Sequence, residues 1–325
     1  MAIQLQLTWR RKMNVKLGVF ACIALAIAVG CLYVMDSDSI SASLPRMTSA
    51  DDATYSLAAE LPQIKESYPV YRVRPIKITE DQVKEIASRF NLSGTPRVSN
   101  KDTGEVLVVD TSKQPEEQIS VYTHSGAMIY HILDKEFPNE VTEQPELPSD
   151  AESEKIALEF LKKTQMESPD AQIVSVGVNQ KQEVWEAGAT EPKVSYDVTK
   201  AVRFGRTLDG LPVYGDEFAV ILADGGEAVG LVKTWREVVP NGSVSIKSPE
   251  QAYADLLAAK TVRPSVAAEF DRIVIEEVSL GYWMEPRGVI QETVWPIYVF
   301  SGTATHNNIE EPYIAYVFAN ESAER

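Results

Sequence analysis

The chain has 325 residues, 44% of them hydrophobic, which is enough apolar content for a sizeable core in one to three domains. It carries 31 Lys and Arg against 47 Asp and Glu, a net charge of −16. A surface this acidic repels nucleic acid and anionic lipid headgroups, so both are excluded as partners of the folded part.

An uncharged apolar run, Leu17–Met35, is the first predicted element. At about 1.5 Å per residue a helix of this length spans roughly 28 Å, close to the ~30 Å hydrocarbon core of a bilayer. The basic residues Arg10–Lys12 and Lys16 precede it, and acidic residues follow. The positive-inside rule then predicts a cytoplasmic basic N-terminus at 1–16, a single-pass signal anchor at 17–35 in the cell membrane, and an extracytoplasmic C-terminal domain.

Both cysteines, Cys22 and Cys31, lie inside this run, so the remainder of the chain has no disulfide, thiol nucleophile or cysteine metal site. Three fates of the run stay open. It is an uncleaved anchor, a lipobox at Ile27–Cys31 that is lipidated on Cys31, or a signal peptide cleaved near Ser41–Ser43. Ala28 stands where a typical lipobox has Leu.

A spacer is predicted over 36–66, because this segment is rich in Ser, Asp and Ala and shows no sustained apolar period. Within it, Ala53–Leu61 is compatible with a short helix.

Capping boxes at Thr79–Gln82, Ser149–Glu152 and Ser248–Gln251 then predict the starts of three helices. Apolar residues follow on one helix face in each case, so we expect each helix to pack against a sheet.

Alternating strands follow each helix. They are predicted at Glu105–Thr111, Gln118–Leu133, Ile173–Glu186, Val194–Arg206, Glu217–Trp235, Arg272–Met284, Val294–Ser301 and Pro312–Ala319. Turns are predicted at Ser125-Gly126 and Asp224–Gly226. The predicted fold is α+β, a short helix on an antiparallel meander in three units at 67–138, 149–240 and 246–320. Pro138–Pro148 and Pro240–Gly242 mark the boundaries.

No zinc-protease helix, nucleophile elbow or phosphate-binding glycine loop occurs in the sequence. The three histidines, His124, His131 and His306, fall in separate strand or turn positions, which does not favour a metal site. The carboxylate pairs lie in polar contexts, so no raised pKa is predicted for them. We therefore predict no catalytic, cofactor-binding or metal-binding residue, no cofactor, and no enzymatic activity.

Four tryptophans, Trp185, Trp235, Trp283 and Trp295, fall on predicted strands. Aromatic residues at such positions are typical of core packing, but they are also frequent in partner-binding surfaces.

The segment Phe204–Gly215, with the turn at Asp224–Gly226, resembles the glycine-proline hairpin of the FTP and PepSY domains in propeptides of thermolysin-type metalloproteases. Here Gly210 and Gly215 flank a tight bend, and Pro212 fixes one dihedral angle. The anchor and the terminal Val294–Phe300 strand also resemble Yyc regulatory proteins of the YycH and YycI type. The first resemblance implies PepSY-like units, and the second implies restraint of a membrane sensor kinase.

The predicted function is that of a non-enzymatic, membrane-anchored, extracytoplasmic interaction protein, which binds a protein or peptide and modulates a protease or sensor kinase in trans. The alternative is an extracytoplasmic ligand- or glycan-binding lipoprotein with a pocket lined by Trp283, Trp295 or Tyr214. An enzyme of unrecognised type is the third hypothesis, and it requires carboxylates clustered with a histidine.

Overall fold

The computed structural model describes residues 20–22, 53–263 and 270–320. The strands, in chain order, are β1 (Phe20–Cys22), β2 (Thr54–Leu57), β3 (Ser67–Val73), β4 (Arg97–Asn100), β5 (Glu105–Asp110), β6 (Glu117–Tyr122), β7 (Met128–Ile132), β8 (Gln172–Trp185), β9 (Val194–Gly205), β10 (Thr207–Leu208), β11 (Leu211–Tyr214), β12 (Glu217–Leu222), β13 (Ala228–Thr234), β14 (Val238–Ser245), β15 (Arg272–Trp283), β16 (Thr293–Val294), β17 (Pro296–His306) and β18 (Ile309–Phe318). The helices are α1 (Glu80–Arg89), α2 (Leu133–Glu136), α3 (Asp150–Thr164) and α4 (Pro249–Leu257).

The first sheet has nine strands in the order β1-β8-β9-β12-β13-β7-β6-β5-β4, and all its pairings are antiparallel. Helices α1 and α3 place their apolar sides on this sheet. The two helices meet over the sheet through the rings of Phe90, Tyr130 and Phe160, whose centroids lie 4.8–6.2 Å apart. This sheet and its helices form the larger hydrophobic core.

The second sheet is built around β15, which pairs with β17, while β17 pairs with β18. The other edge of β15 is shared by two short parallel strands, β2 at Arg272–Ile275 and β11 at Tyr282 and Trp283. Strand β10 adds to β11, and α4 packs on the sheet. A third sheet of three strands, β14-β3-β16, lies beside it.

Several predictions of local structure are confirmed. All three capping boxes form, with the Thr79, Ser149 and Ser248 side chains each accepting from the backbone N–H three residues later. The predicted turns at Ser125-Gly126 and Asp224–Gly226 join β6 to β7 and β12 to β13. These features depend on neighbours in the sequence, which explains why they were predictable.

The predicted fold class is wrong, because the strands do not form repeated helix-on-meander units. Strands cover 46% of the described residues and helices 16%. Strand β13 from the second predicted unit pairs with β7 from the first, with Gly230 opposite His131, so both units share one sheet. Joining two open meander edges gives hydrogen-bond partners to backbone groups that separate units would leave exposed.

Two predicted connecting segments also contribute to sheets. Residues 54–57 of the predicted spacer form β2, so Ala53–Leu61 is not a helix. Pro240–Gly242 lies within β14, at the point where the pairing with β3 shifts register.

The structure contradicts the transmembrane anchor and the single-pass membrane localisation derived from it. Among the described residues, no helix has the length and apolar character needed to cross a membrane. Phe20–Cys22, the part of Leu17–Met35 that the structure describes, is strand β1, which pairs with β8. The rest of the run, Cys31 included, lies outside the described residues, as does the basic N-terminus at 1–16.

We call the nine-stranded sheet with α1, α2 and α3 the first lobe, and the other two sheets with α4 the second lobe. Within 53–263 the chain crosses between the lobes four times, near Arg74, Arg206, Asp216 and Arg236. Two of these crossings, near Arg74 and near Arg236, lie side by side. The backbone N–H of Arg74 in one donates to the Glu237 carbonyl in the other, at 2.9 Å.

Candidate functional site

The segment Phe204–Gly215, which carries the family resemblance, is an excursion from one lobe to the other. The chain leaves β9 at the edge of the first lobe, forms the β10–β11 hairpin in the second lobe, and returns as β12. Asp209 and Gly210 both have positive φ at the hairpin tip. Gly215, at φ 88°, lies against the Met284 carbonyl, where a Cβ atom would collide.

A buried ion pair joins the two ends of this excursion. Arg206 Nε donates to Asp216 Oδ2 at 2.7 Å, and the two side chains are only 2% and 3% exposed. Arg206 Nη1 also donates to the Arg236 carbonyl at 2.9 Å and lies 3.2 Å from Asp170 Oδ2. The Arg206 guanidinium stacks 4.5 Å from the ring of Trp235.

Arg236 binds the second lobe through three backbone carbonyls. Its guanidinium donates to Glu285, Pro286 and Val289 oxygens at 2.6, 2.9 and 2.8 Å. A planar guanidinium is suited to such convergent acceptors. The loop between β15 and β16 is therefore fixed to the end of β13.

Arg287, in the same loop, makes the neighbouring contact between the lobes. Its Nη1 donates to Glu217 Oε2 at 2.7 Å, and its carbonyl accepts from Ser125 Oγ at 2.6 Å. We call Arg206, Asp216, Glu217, Arg236 and Arg287 the junction.

Burial dominates the electrostatics of the junction carboxylates. It raises the pKa of Asp216 to about 6, against the charges of Arg206 and Arg236. It also raises the pKa of Glu217, against those of Arg287 and Arg263. Removing water from a carboxylate disfavours its charged form, which explains both directions.

Sequence reasoning missed this cluster, and it predicted no carboxylate with a raised pKa. The junction residues come from separate strand ends and a distant loop, so no local spacing marks them. The sequence feature that could have indicated this cluster is the acidic pair Asp216-Glu217, which comes directly after the glycine bend at Gly215.

The structure brings one histidine together with a carboxylate. His131 Nδ1 lies 2.6 Å from Oε2 of Glu136, whose side chain is buried. Gly230 leaves the space for this carboxylate, because a Cβ atom there would lie 2.6 Å from Oε2. A carboxylate on Nδ1 orients an imidazole, as in general-base pairs. Within the described ranges, however, no hydroxyl is hydrogen-bonded to Nε2 of His131.

His124 lies in the turn after β6, and His306 lies at the β17–β18 turn beside Asn307. Within the residues that the structure describes, no three potential metal ligands lie close enough together to hold an ion. Cys31, the predicted lipidation residue, lies outside the described residues.

Two of the three aromatic residues named for a pocket, Trp283 and Tyr214, pack on Tyr316. Trp283 is 2% exposed, and its ring lies 5.1 Å from that of Tyr316. The Tyr214 ring lies 5.4 Å from the same tyrosine. Trp295 is half-buried. Trp283 therefore belongs to a core cluster of the second lobe.

Among the described residues, the outer edge of β8 is the longest strand edge of the first lobe that lacks a partner strand. Over Gln172–Gln182 it pairs with no other strand in the described part of the chain, and β1 occupies only Glu183–Trp185. The first nine residues of β8 carry no charge and no proline, and Val174 is 64% exposed.

Three other sheet edges, on β4, β14 and β18, are protected against further pairing. Strand β4 is four residues long and begins with Arg97, and β14 contains Pro240 within a bulge. Strand β18 carries Glu310, Glu311 and Pro312 directly after its first residue. Short edges, charges and prolines are the usual protection of sheet edges. Strand β8 has no proline, and its register shifts near Val174, Asn179 and Gln180, but its first charged residue is Lys181, the tenth of the strand.

No protein-family model and no curated protein matches this chain. Among solved structures, the chain is similar to an uncharacterized protein from Eubacterium rectale, at 13% sequence identity and a TM-score of 0.47. That match covers 84% of this chain and 90% of the other. A likeness at this level carries no argument about function, and the resemblance to PepSY and Yyc proteins stays a prediction.

Proposed function

We propose that this chain is a non-enzymatic interaction protein, which binds an extended segment of a partner protein as an added strand on the outer edge of β8. The observation that carries the proposal is the length of this edge, together with the lack of charge and proline in its first nine residues. Main-chain pairing supplies affinity in such complexes, and alternate side chains supply specificity.

Two further features support the proposal. The edge already accepts a strand at its far end, where Phe20–Cys22 pairs antiparallel with Glu183–Trp185. An uncharged stretch rich in β-branched residues, such as the first nine residues of β8, is prone to aggregate unless another strand covers it. A protein that presents such an edge is expected to have a partner for it. The family resemblance predicts that this partner is a protease or a sensor kinase.

Site-specific photocrosslinking tests the proposal. A benzophenone amino acid replaces Val174 on β8 in one variant, and Val98 on β4 in the control. The two positions match well, because Val98 is 61% exposed and lies on the opposite edge of the same sheet.

We expect ultraviolet light to join position 174 to one partner protein with a several-fold higher yield than position 98. Equal yields at the two positions would contradict binding at β8. Adducts formed only between copies of this chain would also contradict it, because they would assign the edge to a dimer.

A further inference from the structure

The junction holds a carboxylate that is poorly stabilised in its charged form. Oδ2 of Asp216 accepts from Arg206 Nε, but Oδ1 is buried and has no hydrogen-bond partner among the described residues. Nη2 of Arg206 is unpaired in the same way. An ionised carboxylate with one unsatisfied buried oxygen is costly.

The two cations near Asp216 have other partners. Arg206 also pairs with Asp170 and donates to the Arg236 carbonyl. Arg236 donates to three carbonyls of the β15–β16 loop. Both guanidinium groups therefore keep hydrogen-bond acceptors when Asp216 is neutral.

The charged groups that face Asp216 come from three elements. Arg206 follows β9, Arg236 follows β13, and Asp170 precedes β8. The adjacent carboxylate, Glu217, faces Arg287 and Arg263 and lies beside Thr234.

We propose that the junction is a pH-dependent latch between the two lobes. Protonation of Asp216 tightens the latch, and ionisation of this carboxyl group loosens it. The proposal does not depend on the β8 edge. It concerns how firmly the β15–β16 loop and the β10–β11 excursion are held against the first lobe.

The sign of the effect follows from proton linkage. The closed junction raises the pKa of Asp216 to about 6 from its ordinary 3.8, so the closed form binds the proton more tightly than an open form. Acid therefore stabilises the closed junction, and this stabilisation is lost as pH rises from 3.8 through about 6. Glu217 acts in the same direction.

Asp170 acts in the opposite direction, but in a different pH range. Burial acts to raise the pKa of Asp170, but hydrogen bonds from Trp235 and Arg206 outweigh it, so this pKa is lowered. Its contribution is lost only below pH 3.8. Between pH 5 and pH 7 the junction therefore responds mainly to Asp216 and Glu217.

Hydrogen exchange of the full chain tests the latch. The amides of Glu285–Gln291 are followed by mass spectrometry at pH 5 and pH 7, with rates corrected for intrinsic exchange. We expect exchange to be about tenfold slower at pH 5, because one pH unit below the pKa shifts the equilibrium tenfold.

The variant Asp216→Asn imitates the neutral acid. We expect its loop to exchange at pH 7 about as slowly as the wild type does at pH 5, and its remaining pH response, which Glu217 supplies, to be weaker than that of the wild type. The matched control is Asp209→Asn, which removes a charge at the exposed tip of the same excursion and should keep the wild-type response.

A latch held by the charged Arg206–Asp216 pair would behave in the opposite way. Faster or unchanged loop exchange at pH 5 in the wild type would overturn the proposal, and this readout stands even if Asp216→Asn does not fold. A folded Asp216→Asn variant with the full wild-type pH response would overturn it as well.

Discussion

Arg206 donates from Nε to Asp216 Oδ2 at 2.7 Å, and this bond joins the point where the chain leaves the nine-stranded sheet to the point where it returns. The nine residues between them form the β10–β11 excursion, which pairs with β15 in the second lobe. The chain therefore crosses between the lobes at points where side-chain hydrogen bonds hold the two ends of the excursion together. This arrangement gives predictions for each class of contact.

Replacing Arg236 by Met should destabilise the fold by about 3 kcal/mol, because three carbonyls of the β15–β16 loop lose the donor that the buried Arg236 provides. Urea unfolding measures this change. Arg74→Met serves as the control, since Arg74 is exposed and its ion pair with Glu237 spans 3.5 Å. The control should change stability by less than about 0.5 kcal/mol. Equal losses in the two variants would argue against a fastening role for Arg236.

Two glycines of the excursion should respond differently to alanine. Gly210→Ala should cost about 1 to 2 kcal/mol, because φ is +77° but no atom lies within 4 Å of the added Cβ. Gly215→Ala should cost roughly 2 to 5 kcal/mol, since its Cβ also collides with the Met284 carbonyl. Thermal unfolding of both variants compares the costs, and a smaller loss for Gly215→Ala would show that the β11–β15 contact is looser than described.

The capping box of α3 should contribute measurable stability. Ser149→Ala removes the acceptor of the Glu152 N–H and should cost about 1 kcal/mol in chemical denaturation. Ser195→Ala, at an exposed position on β9, is expected to stay within about 0.5 kcal/mol of the wild type. An unchanged midpoint for Ser149→Ala would indicate that the end of the helix frays.

A charge at position 174 on the β8 edge should weaken partner binding without unfolding the protein. Val174→Lys is expected to weaken binding at least tenfold, because lysine on an edge opposes strand addition. Its stability should change by less than about 0.5 kcal/mol, since the side chain is exposed. Val98→Lys on β4 should leave binding unchanged, and loss of binding in both variants would point to a general charge effect.

The sequence predicted those parts of the fold that depend on near neighbours. The capping box at Ser149, the turn at Asp224–Gly226 and most strand positions follow from residues a few places apart. Pairing between β7 and β13 joins residues about a hundred positions apart, so the shared sheet could not be read from local patterns. The same limit applies to β2, which acquires its partner only when β15 is in place.

The candidate sites were less predictable than the fold. Arg206 and Asp216 are ten residues apart and meet only because the excursion between them folds back. Arg287 reaches Glu217 from seventy positions away. Single charged residues in such segments resemble ordinary surface residues, and their burial depends on how the lobes pack.

Amide hydrogen exchange on β8 tests the central claim most directly. It compares the free chain with the purified complex that contains the partner identified by crosslinking at position 174. Strand addition predicts that outward-facing amides within Gln172–Gln182 become strongly protected, while those of Arg97–Asn100 on β4 do not change. Unchanged exchange across β8, with protection elsewhere on the molecule, would contradict the proposed function.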